Sequence, residues 1–260
     1  MELALKDKVV IVTGGSGGIG QAIVEKFAGE GATVVVADIT DAPTPEFAAK
    51  LKSMGAKVTF MKVDVTSRSE VADLVARVID KFGRIDVLAN NAGFHRNLLL
   101  PDVTEADWNK VMDINTKGVY LFSQAVASHM IKARQGKIVN TASVAGREGV
   151  AGHIHYSASK FAVISMTQVL AKELGEHNIN VNAVCPGPVL TPMMTTQLTD
   201  IARRENRPED EVWAEFLASS PLGRAPETQD IANAILFLSS EIARNITGES
   251  INVACGIRMD

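Results

Sequence analysis

Two residues one helical turn apart, Tyr156 and Lys160, form a pair suited to proton transfer. A free tyrosine has a pKa of about 10, so its phenolate is scarce near neutral pH. A lysine four residues later lies on the same helix face, where its positive charge favours the phenolate and lowers the tyrosine pKa. We therefore expect Tyr156 to act as the base that removes the proton of a substrate hydroxyl.

Ser143 is the candidate to assist this base. It follows an apolar, strand-like segment, and its hydroxyl can hydrogen-bond a substrate oxygen and stabilise the charge that develops there. The alternatives are an ordinary helix-surface pair at Tyr156 and Lys160 and a strand-end hydroxyl at Ser143. The catalytic interpretation is favoured because the chain has only two tyrosines, and this one carries a lysine at the required offset.

A glycine-rich segment near the start of the chain is typical of dinucleotide binding. Residues 13–20, Thr-Gly-Gly-Ser-Gly-Gly-Ile-Gly, follow a strand-like run and open a helical pattern. Glycines allow a tight turn and let backbone N–H groups approach a pyrophosphate at the positive end of a helix. Asp38 closes the second strand, where a carboxylate accepts hydrogen bonds from a ribose diol and repels a 2′-phosphate. No Arg or Lys directly follows Asp38, so NAD is the predicted cofactor.

The elements that must position these residues alternate along the chain. The strand-like segments are 8–12, 33–37, 57–63, 85–90, 136–142, 179–185 and 249–253. The helical segments are 18–29, 43–54, 68–82, 104–133, 156–175 and 228–239. Continuous apolar runs such as 9–12 and 33–37 are typical of strands that helices cover on both faces. The pattern predicts an α/β class, with residues 1–260 as a single-domain Rossmann fold around a doubly wound parallel sheet.

The stretch 190–226 interrupts this alternation. A Thr-Pro start, a charged middle and a Ser-Ser-Pro end separate a strand from the next helix. Long connections in compact domains are often functional lids, so a helical lid over a site is predicted here. The alternative is a surface insertion without a role.

Composition and charge narrow the classes of partner. A net charge of −4 gives no reason to expect nucleic acid or an anionic membrane. No apolar run has the length of a membrane span, and the first residues lack a signal-peptide pattern. Cys185 and Cys255 show no metal-binding or redox spacing, so we expect reduced thiols in a cytoplasmic protein and no metal.

Taken together, the motifs resemble those of the short-chain dehydrogenase/reductase family along essentially the whole chain. The matching segments are Gly14-xxx-Gly18-x-Gly20, Asn90-Asn91-Ala92-Gly93, Tyr156-Ser-Ala-Ser-Lys160, and Pro186-Gly187 with Thr191. The resemblance implies an oxidoreductase that moves a hydride between NAD and a hydroxyl carbon of a small substrate. It also implies that Asn115 helps to hold a proton-relay water and that Lys160 holds the nicotinamide ribose.

The residues expected to bind the cofactor come from the glycine segment, the strand ends and the Pro-Gly segment. They are Gly14, Ser16, Gly17, Gly18, Ile19, Gly20, Asp38, Asp64, Val65, Asn91, Ala92, Gly93, Tyr156, Lys160, Pro186, Gly187, Val189 and Thr191. The expected catalytic residues are Asn115, Ser143, Tyr156 and Lys160.

Basic and imidazole residues are concentrated where the family contacts its substrates. They are His95, Arg96, Arg147, His153 and His155. The predicted lid contributes Met193, Met194 and Gln197 to the same region. Because arginine binds oxyanions with a rigid fork of donors, a polyhydroxylated substrate with a sulfonate, phosphate or carboxylate group is predicted. The predicted substrate residues are His95, Arg96, Ser143, Arg147, His153, Tyr156 and Met193. Alternatively, these side chains face solvent, pair with Glu148 or bind the cofactor pyrophosphate.

The C-terminal third resembles two branches of the family. The sugar and polyol dehydrogenases are favoured, and the 3-hydroxybutyrate dehydrogenases are the alternative. Val144 and Ala145 stand where the second branch has a histidine, which disfavours hydroxybutyrate as substrate. A non-catalytic NAD(H)-binding sensor is a further alternative, which the retention of Ser143, Tyr156 and Lys160 disfavours.

The helix that begins near Tyr156 is apolar on more than one face as far as Glu173. A helix on the outside of a sheet needs only one apolar stripe. The excess predicts a homo-oligomer, and the resemblance implies a dimer or tetramer built through this helix. The alternative is that the predicted lid or the 104–133 helix covers this surface.

Overall fold

The computed structural model describes residues 3–259, which form one parallel sheet of seven strands with helices around it. The strands are β1 (Val9–Thr13), β2 (Thr33–Asp38), β3 (Lys57–Lys62), β4 (Val87–Asn90), β5 (Gly136–Thr141), β6 (Ile179–Pro186) and β7 (Ser250–Val253). Their order is β3-β2-β1-β4-β5-β6-β7. The order reverses between β1 and β4, and ligands of such sheets bind at the carboxyl ends of the strands beside that point. The predicted Rossmann-type α/β fold is confirmed.

Nine α-helices connect or flank the strands in the described part of the chain. They are α1 (Gly18–Gly29), α2 (Pro45–Ser53), α3 (Arg68–Phe82), α4 (Glu105–Met112), α5 (Gly118–Ala133), α6 (Ile154–Leu174), α7 (Pro192–Glu205), α8 (Glu209–Ala218) and α9 (Thr228–Leu238).

Helices cover both faces of the sheet, as the continuous apolar strands predict. Successive residues of a strand point to opposite faces. Val10 of β1 packs on one face in a cluster with Phe27 of α1, whereas Ile11 packs on the other face with Phe122 of α5. All four side chains are fully buried. The central strands are therefore held from both sides, and their carboxyl ends form a firm edge for a site.

The predicted helix 104–133 is two helices joined by a wider turn. α4 ends at Met112, residues Asp113–Lys117 form a π-helical turn, and α5 continues from Gly118. A π turn accommodates one extra residue without ending the apolar periodicity, which explains why the sequence pattern shows one helix. Asn115 lies in this turn and is fully buried.

Residues 190–226, called the lid below, contain α7 and α8. The two helices pack on each other through an apolar cluster of their own. The buried members of this cluster are Met194, Leu198, Ile201, Ala202 and Val212, with Trp213 and Phe216 against them. Thr191 caps α7, where its hydroxyl accepts a hydrogen bond from the Met194 amide at 3.4 Å. The predicted helical character of this stretch is what the structure shows.

No helix within residues 3–259 is both long and apolar enough to cross a membrane. The same residues contain no group of three or more His, Cys, Asp or Glu side chains placed to hold a metal ion. Both cysteines are free thiols, with Cys185 buried and Cys255 half-buried.

Candidate active site

A cleft of about 950 Å³ runs along the carboxyl ends of the strands and under the lid. Its lining contains every predicted cofactor-binding residue except Ser16 and Gly20. Gly20 is buried, and the amide of the half-buried Ser16 donates to Asp38 in the lining. The structure thus brings together residues that are spread from Gly14 to Thr191 in the sequence.

The glycine segment folds too tightly for side chains at two positions. A Cβ atom on Gly14, whose φ is +63°, would lie 2.8 Å from the Cα of Ala92. A Cβ atom on Gly20 would lie 1.9 Å from the carbonyl oxygen of Gly14. Gly17, the N-cap of α1, supplies no side-chain cap, so the N-terminus of the helix faces the cleft with free N–H groups. Such a helix end binds phosphate groups.

Asp38 is fixed beside this segment at the end of β2. One of its carboxylate oxygens accepts a hydrogen bond from the Ser16 amide at 2.9 Å, and the other accepts from the Thr40 amide at 3.3 Å. The Ser16 Oγ and the Thr141 Oγ1 are buried and have no hydrogen-bond partner among the described residues. An uncapped helix end, a fixed carboxylate and unpartnered hydroxyls fit a dinucleotide with its phosphates and ribose hydroxyls.

The walls of the crevice are held together by side-chain hydrogen bonds between β1 and β4. The Thr13 hydroxyl accepts from the amides of Asn91 and Ala92 at 2.9 and 3.0 Å. In return, the Asn91 side chain donates to the carbonyls of Thr13 and Gly14 at 3.2 and 3.1 Å. The two sides of the switch point therefore cannot separate without breaking four hydrogen bonds.

Tyr156 and Lys160 lie on α6 beside Ser143, as their spacing predicts. Lys160 is buried, its Nζ donates to the Thr141 carbonyl at 2.8 Å, and it lies 5.6 Å from the centre of the Tyr156 ring. Burial lowers the pKa of Lys160 to about 8. Burial also raises the pKa of Tyr156, and a hydrogen bond with Ser143 opposes that rise. The Tyr156 pKa is therefore raised rather than lowered as its spacing from Lys160 predicts, because burial is the largest influence on it.

Asn115 fastens the loop after β4 to α6. Its Oδ1 accepts from the Phe94 amide at 2.7 Å, and its Nδ2 donates to the Phe94 carbonyl at 2.9 Å and to the Ser159 hydroxyl at 3.0 Å. Ser143 is in extended conformation, and its hydroxyl accepts from the Ala145 amide at 3.1 Å. The four predicted catalytic residues are thus neighbours, within a scaffold of short hydrogen bonds.

The predicted cluster of basic groups at the mouth is not what the structure shows. Arg96 turns away to form an ion pair of 2.6 Å with Asp107, whose carboxylate is held in the capping box of α4. Arg147 donates to the backbone carbonyl of Ser250 in β7. Of the predicted substrate residues, Ser143, His153, Tyr156 and Met193 line the cleft, whereas His95, Arg96 and Arg147 do not. The sequence shows which side chains are charged, but the direction of each side chain depends on the residue that it binds.

The imidazoles at the mouth are uncharged. His95 is buried between His153 and Tyr156, with ring-centre distances of 4.6 and 4.5 Å. Burial, reinforced by the neighbouring His153, His155 and Lys160, lowers the pKa of His95 to about 3. Burial likewise lowers the pKa values of His153 and His155, and His155 lies outside the cleft lining. Near neutral pH these groups offer hydrogen bonds and flat surfaces rather than positive charge.

The model for the short chain dehydrogenase family matches residues 8–202, which is most of the chain. The chain belongs to the short-chain dehydrogenase family. As a member, it is an oxidoreductase that acts on a hydroxyl or keto carbon, in a family that uses NAD or NADP.

Individual relatives of this short-chain dehydrogenase span its whole length. It is 41% identical over 255 residues to a 3-oxoacyl-[acyl-carrier-protein] reductase of Thermotoga maritima, covering 98% of this chain and 99% of that one. The crystal structure of gox2181 matches it with a TM-score of 0.88 and 32% identity, over 98% and 97% of the two chains. Levodione reductase matches with a TM-score of 0.88 and 31% identity, over 96% and 97%. These relatives do not single out the sugar and polyol branch.

Several residues that line the substrate end of this short-chain dehydrogenase carry no sequence motif. Apolar walls come from Val150, from Phe216 of α8 and from Ile257 beyond β7. Lys110 of α4 also lines the cleft, with its Nζ 4.2 Å from the centre of the Phe94 ring. Their contribution depends on how the lid and the C-terminal segment return to the sheet, which local sequence does not specify.

Proposed function

We propose that the chain catalyses the NAD(H)-dependent interconversion of a secondary alcohol and its ketone in a small, uncharged, oxygenated molecule. The observation that carries the proposal is the group formed by Tyr156, Ser143 and buried Lys160 at one end of a dinucleotide-sized cleft. The best-supported substrates are sugars, polyols and hydroxyketones without an ionised group.

Each of these residues has a part in moving the hydroxyl proton. In oxidation Tyr156 takes the proton from the substrate hydroxyl, and in reduction it returns a proton to the carbonyl oxygen. Ser143 donates a hydrogen bond to the same oxygen and opposes the build-up of charge on it. Lys160, with a pKa of about 8, is mostly cationic near neutral pH and stabilises the phenolate as it forms. When bound, NAD supplies the hydride acceptor for the carbinol carbon.

Asn115 and Lys160 have further proposed roles in holding the cleft wall and the cofactor. Asn115 holds the loop after β4 against α6, and thereby fixes the wall of the cleft at Phe94. Lys160, whose Nζ donates to the Thr141 carbonyl at the end of β5, would also hold the nicotinamide ribose. The cofactor-binding residues predicted from the sequence act together with the unpartnered hydroxyls of Ser16 and Thr141.

The preference for NAD rests on Asp38. Its carboxylate is held at the cleft by two backbone amides, and no arginine is among the described residues that line the cleft. Hydrogen bonds to a charged group are worth about 1.5–3 kcal/mol, so Asp38→Ala should narrow the NAD-over-NADP ratio of kcat/KM by about tenfold to a hundredfold. Asp41→Ala, at an exposed acid in the next loop, is the control and should leave the ratio unchanged. An unchanged ratio in Asp38→Ala contradicts this assignment.

The substrate end of the cleft favours an uncharged molecule, because no arginine is among the described residues that line it and the Lys110 ammonium lies against the Phe94 ring. Its walls are largely apolar, as at Val150, Met193 and Phe216, and Gln197 and His153 bring polar atoms to it. The anionic substituent and the 3-hydroxy acid substrate lose their support, because Arg96 and Arg147 bind other parts of the protein.

Reduction of a 3-oxoacyl thioester is the second candidate. It is favoured by the 41% identity to a 3-oxoacyl-[acyl-carrier-protein] reductase together with the apolar walls, which suit an acyl chain.

One panel distinguishes these activities. NADH formation is measured with neutral polyols and with their phosphate, sulfonate and carboxylate counterparts, and NADH consumption with hydroxyketones and short 3-oxoacyl thioesters. Faster turnover of neutral polyols and hydroxyketones supports the proposal. Preference for thioesters supports the second candidate, preference for charged members restores the anionic substrate, and NADH binding without any turnover indicates a sensor.

We also propose a cytoplasmic homo-oligomer, a dimer or tetramer that forms through α6. Phe161 and Val169 of this helix are 45% and 48% exposed in the single chain, although both are large and apolar. Light scattering should give a mass of two or four chains, and Phe161→Asp together with Val169→Asp should reduce it. A single-chain mass for the unchanged protein contradicts this assembly. The free thiols of Cys185 and Cys255 are typical of a reducing compartment.

A further inference from the structure

A polar contact between the lid and the body lies at the substrate end of the cleft. The Gln197 side-chain nitrogen on α7 is 2.8 Å from Nε2 of His153, which precedes α6. Both side chains line the cleft. The pair joins segments that are 44 residues apart, and it is absent from the motifs that define the cofactor site.

The hydrogen bonds of His153 assign its tautomer. Nδ1 is 3.0 Å from the Ala151 carbonyl and 3.5 Å from the Asn97 amide nitrogen. The shorter contact is with an acceptor, so Nδ1 carries the proton and Nε2 accepts a hydrogen bond from Gln197. The Gln197 amide then keeps its oxygen and one N–H for a ligand in the cleft.

The surroundings hold this pair in place without adding a net charge to it. His95 packs on the His153 ring at 4.6 Å, and the side-chain nitrogen of the buried Asn97 lies 3.5 Å from its Nδ1. Arg204 approaches from α7, but it donates to Asn97 and pairs with Glu205 at 3.0 Å. The Gln197 amide is thus presented by a fixed, uncharged imidazole.

The pair is close to the proposed reaction centre. The ring of His153 lies 6.1 Å from the ring of Tyr156, centre to centre. Because Gln197 contacts His153 at 2.8 Å, we expect the next one or two carbons of a substrate bound at Ser143 and Tyr156 to lie near Gln197. An oxygen on one of those carbons would find both a donor and an acceptor, whereas a hydrogen atom there would leave the amide unpaired.

We propose that Gln197, oriented by His153, binds a second, uncharged oxygen of the substrate, one or two carbons from the reacting carbon. The substrate class is therefore a 1,2- or 1,3-oxygenated alcohol or ketone. This inference rests on the proposed alcohol–ketone chemistry and specifies its substrate. Gln197 determines specificity, and His153 is a positioning residue.

The test compares three four-carbon ketones as substrates for NADH-dependent reduction: 2-butanone, 3-hydroxy-2-butanone and 3-oxobutanoate. The unchanged protein should prefer 3-hydroxy-2-butanone by kcat/KM. Gln197→Leu should lower kcat/KM for this ketone by about tenfold, mainly through KM, because one neutral hydrogen bond is lost. Its kcat/KM for 2-butanone should change by less than about twofold.

Two further variants separate recognition from folding of the lid. Thr196→Ala removes a neighbouring hydroxyl of α7 that bonds only within the helix, to the Pro192 carbonyl, and it should leave all three rates unchanged. His153→Phe should reproduce the selective loss, and His153→Gln, which restores an acceptor, should recover part of it.

The other possible results contradict the role of Gln197, the uncharged substrate or the proposed chemistry. Equal losses for 2-butanone and 3-hydroxy-2-butanone in Gln197→Leu, or no loss at all, overturn the role of Gln197. Preference of the unchanged protein for 3-oxobutanoate overturns the uncharged substrate. Turnover of 2-butanone that depends on Tyr156 but shows no selectivity overturns this inference alone, whereas NADH binding without turnover of any ketone overturns the proposed function with it.

Discussion

The two ends of the cleft are built from different parts of the chain. At the cofactor end, backbone groups form most of the surface. Gly14, Gly20 and Asn91 keep the strand ends and α1 in close contact there. At the substrate end, the surface consists of side chains such as His153 and Gln197, which meet from segments far apart in sequence. A site made of backbone can bind one ligand shape across many sequences, whereas a site made of side chains changes its ligand when a few residues change.

This difference has a physical basis in what each end must bind. Phosphates and ribose hydroxyls are the same for every substrate, and helix N-termini and strand ends supply their donors and acceptors. The substrate differs between enzymes, so its recognition requires side-chain pairs such as the one we propose for Gln197 and His153. Substitutions made separately at the cofactor end and at the substrate end test this difference.

The largest effect is expected where both ends meet, at Tyr156. Replacement by Phe removes the hydroxyl group that takes and returns the proton, and kcat should fall by about a thousandfold. NADH binding, measured by fluorescence titration, should stay within about twofold because the other cofactor-binding residues keep their positions. Tyr120→Phe, at the only other tyrosine, is the control and should keep its activity. Activity retained in Tyr156→Phe sinks the proposed chemistry.

The cofactor end should be intolerant of added atoms where its backbone is closely packed. Gly20→Ala places a methyl group 1.9 Å from the Gly14 carbonyl oxygen, and overpacking should lower the free energy of unfolding by about 3 kcal/mol. Gly17→Ala is the matched control, because nothing lies within 4 Å of its Cβ position and its φ of −155° suits alanine. Chemical denaturation measures both variants, and equal stabilities would show that the loop relaxes freely.

The dependence on pH distinguishes the two directions of the reaction. Burial raises the pKa of Tyr156, so alcohol oxidation should accelerate by up to about tenfold per pH unit between pH 6 and 8. Near pH 8 the increase should flatten, because Lys160, with a pKa of about 8, loses the charge that supports the phenolate. Ketone reduction uses the neutral phenol and should be nearly constant over this range. Initial rates in both directions test this, and a rising reduction rate contradicts it.

The smallest effect concerns the substrate end and its buried His95. The unfolded chain protonates this imidazole near its ordinary pKa of 6.5, whereas the folded protein does so only at about 3. The unfolded state therefore binds more protons as the pH falls, and stability is lost below pH 6.5. From pH 7 to pH 5 this group alone should lower the free energy of unfolding by about 2 kcal/mol.

A substitution isolates this contribution of His95. Urea unfolding of His95→Asn should show a shallower loss of stability between pH 7 and pH 5. His177→Asn, at a partly exposed histidine after α6, should keep the steeper loss. Identical slopes in His95→Asn and the unchanged protein would show that His95 is not neutral in the fold.

The cofactor end was also the more predictable end. The apolar run Val9–Thr13 and the glycines after it specify a buried strand, a tight turn and a helix, all of which are local features. The offset between Tyr156 and Lys160 likewise follows from helix geometry. The π turn at Asn115 was not predicted, because one extra residue in a turn leaves no mark in the apolar pattern.

The substrate end was harder to predict because its side chains are directed by distant partners. Arg96 belongs by sequence to the mouth, but a carboxylate on α4 draws it away. Phe216 and Ile257 reach the cleft only because the lid and the C-terminal segment fold back over it. Sequence spacing specifies neither the direction of a side chain nor the return of a distant segment of chain. The predicted cluster of basic groups at the mouth was therefore wrong at Arg96 and Arg147, which bind other parts of the protein.

The separate apolar cluster of the lid gives the protein an optical reporter. Of the two tryptophans, Trp213 packs in that cluster beside Phe216, with 6.3 Å between ring centres, whereas Trp108 lies on α4. In a Trp108→Phe background, all the indole emission comes from the lid. Its wavelength and quenching then follow the environment of the lid directly, with no dye attached and no turnover required.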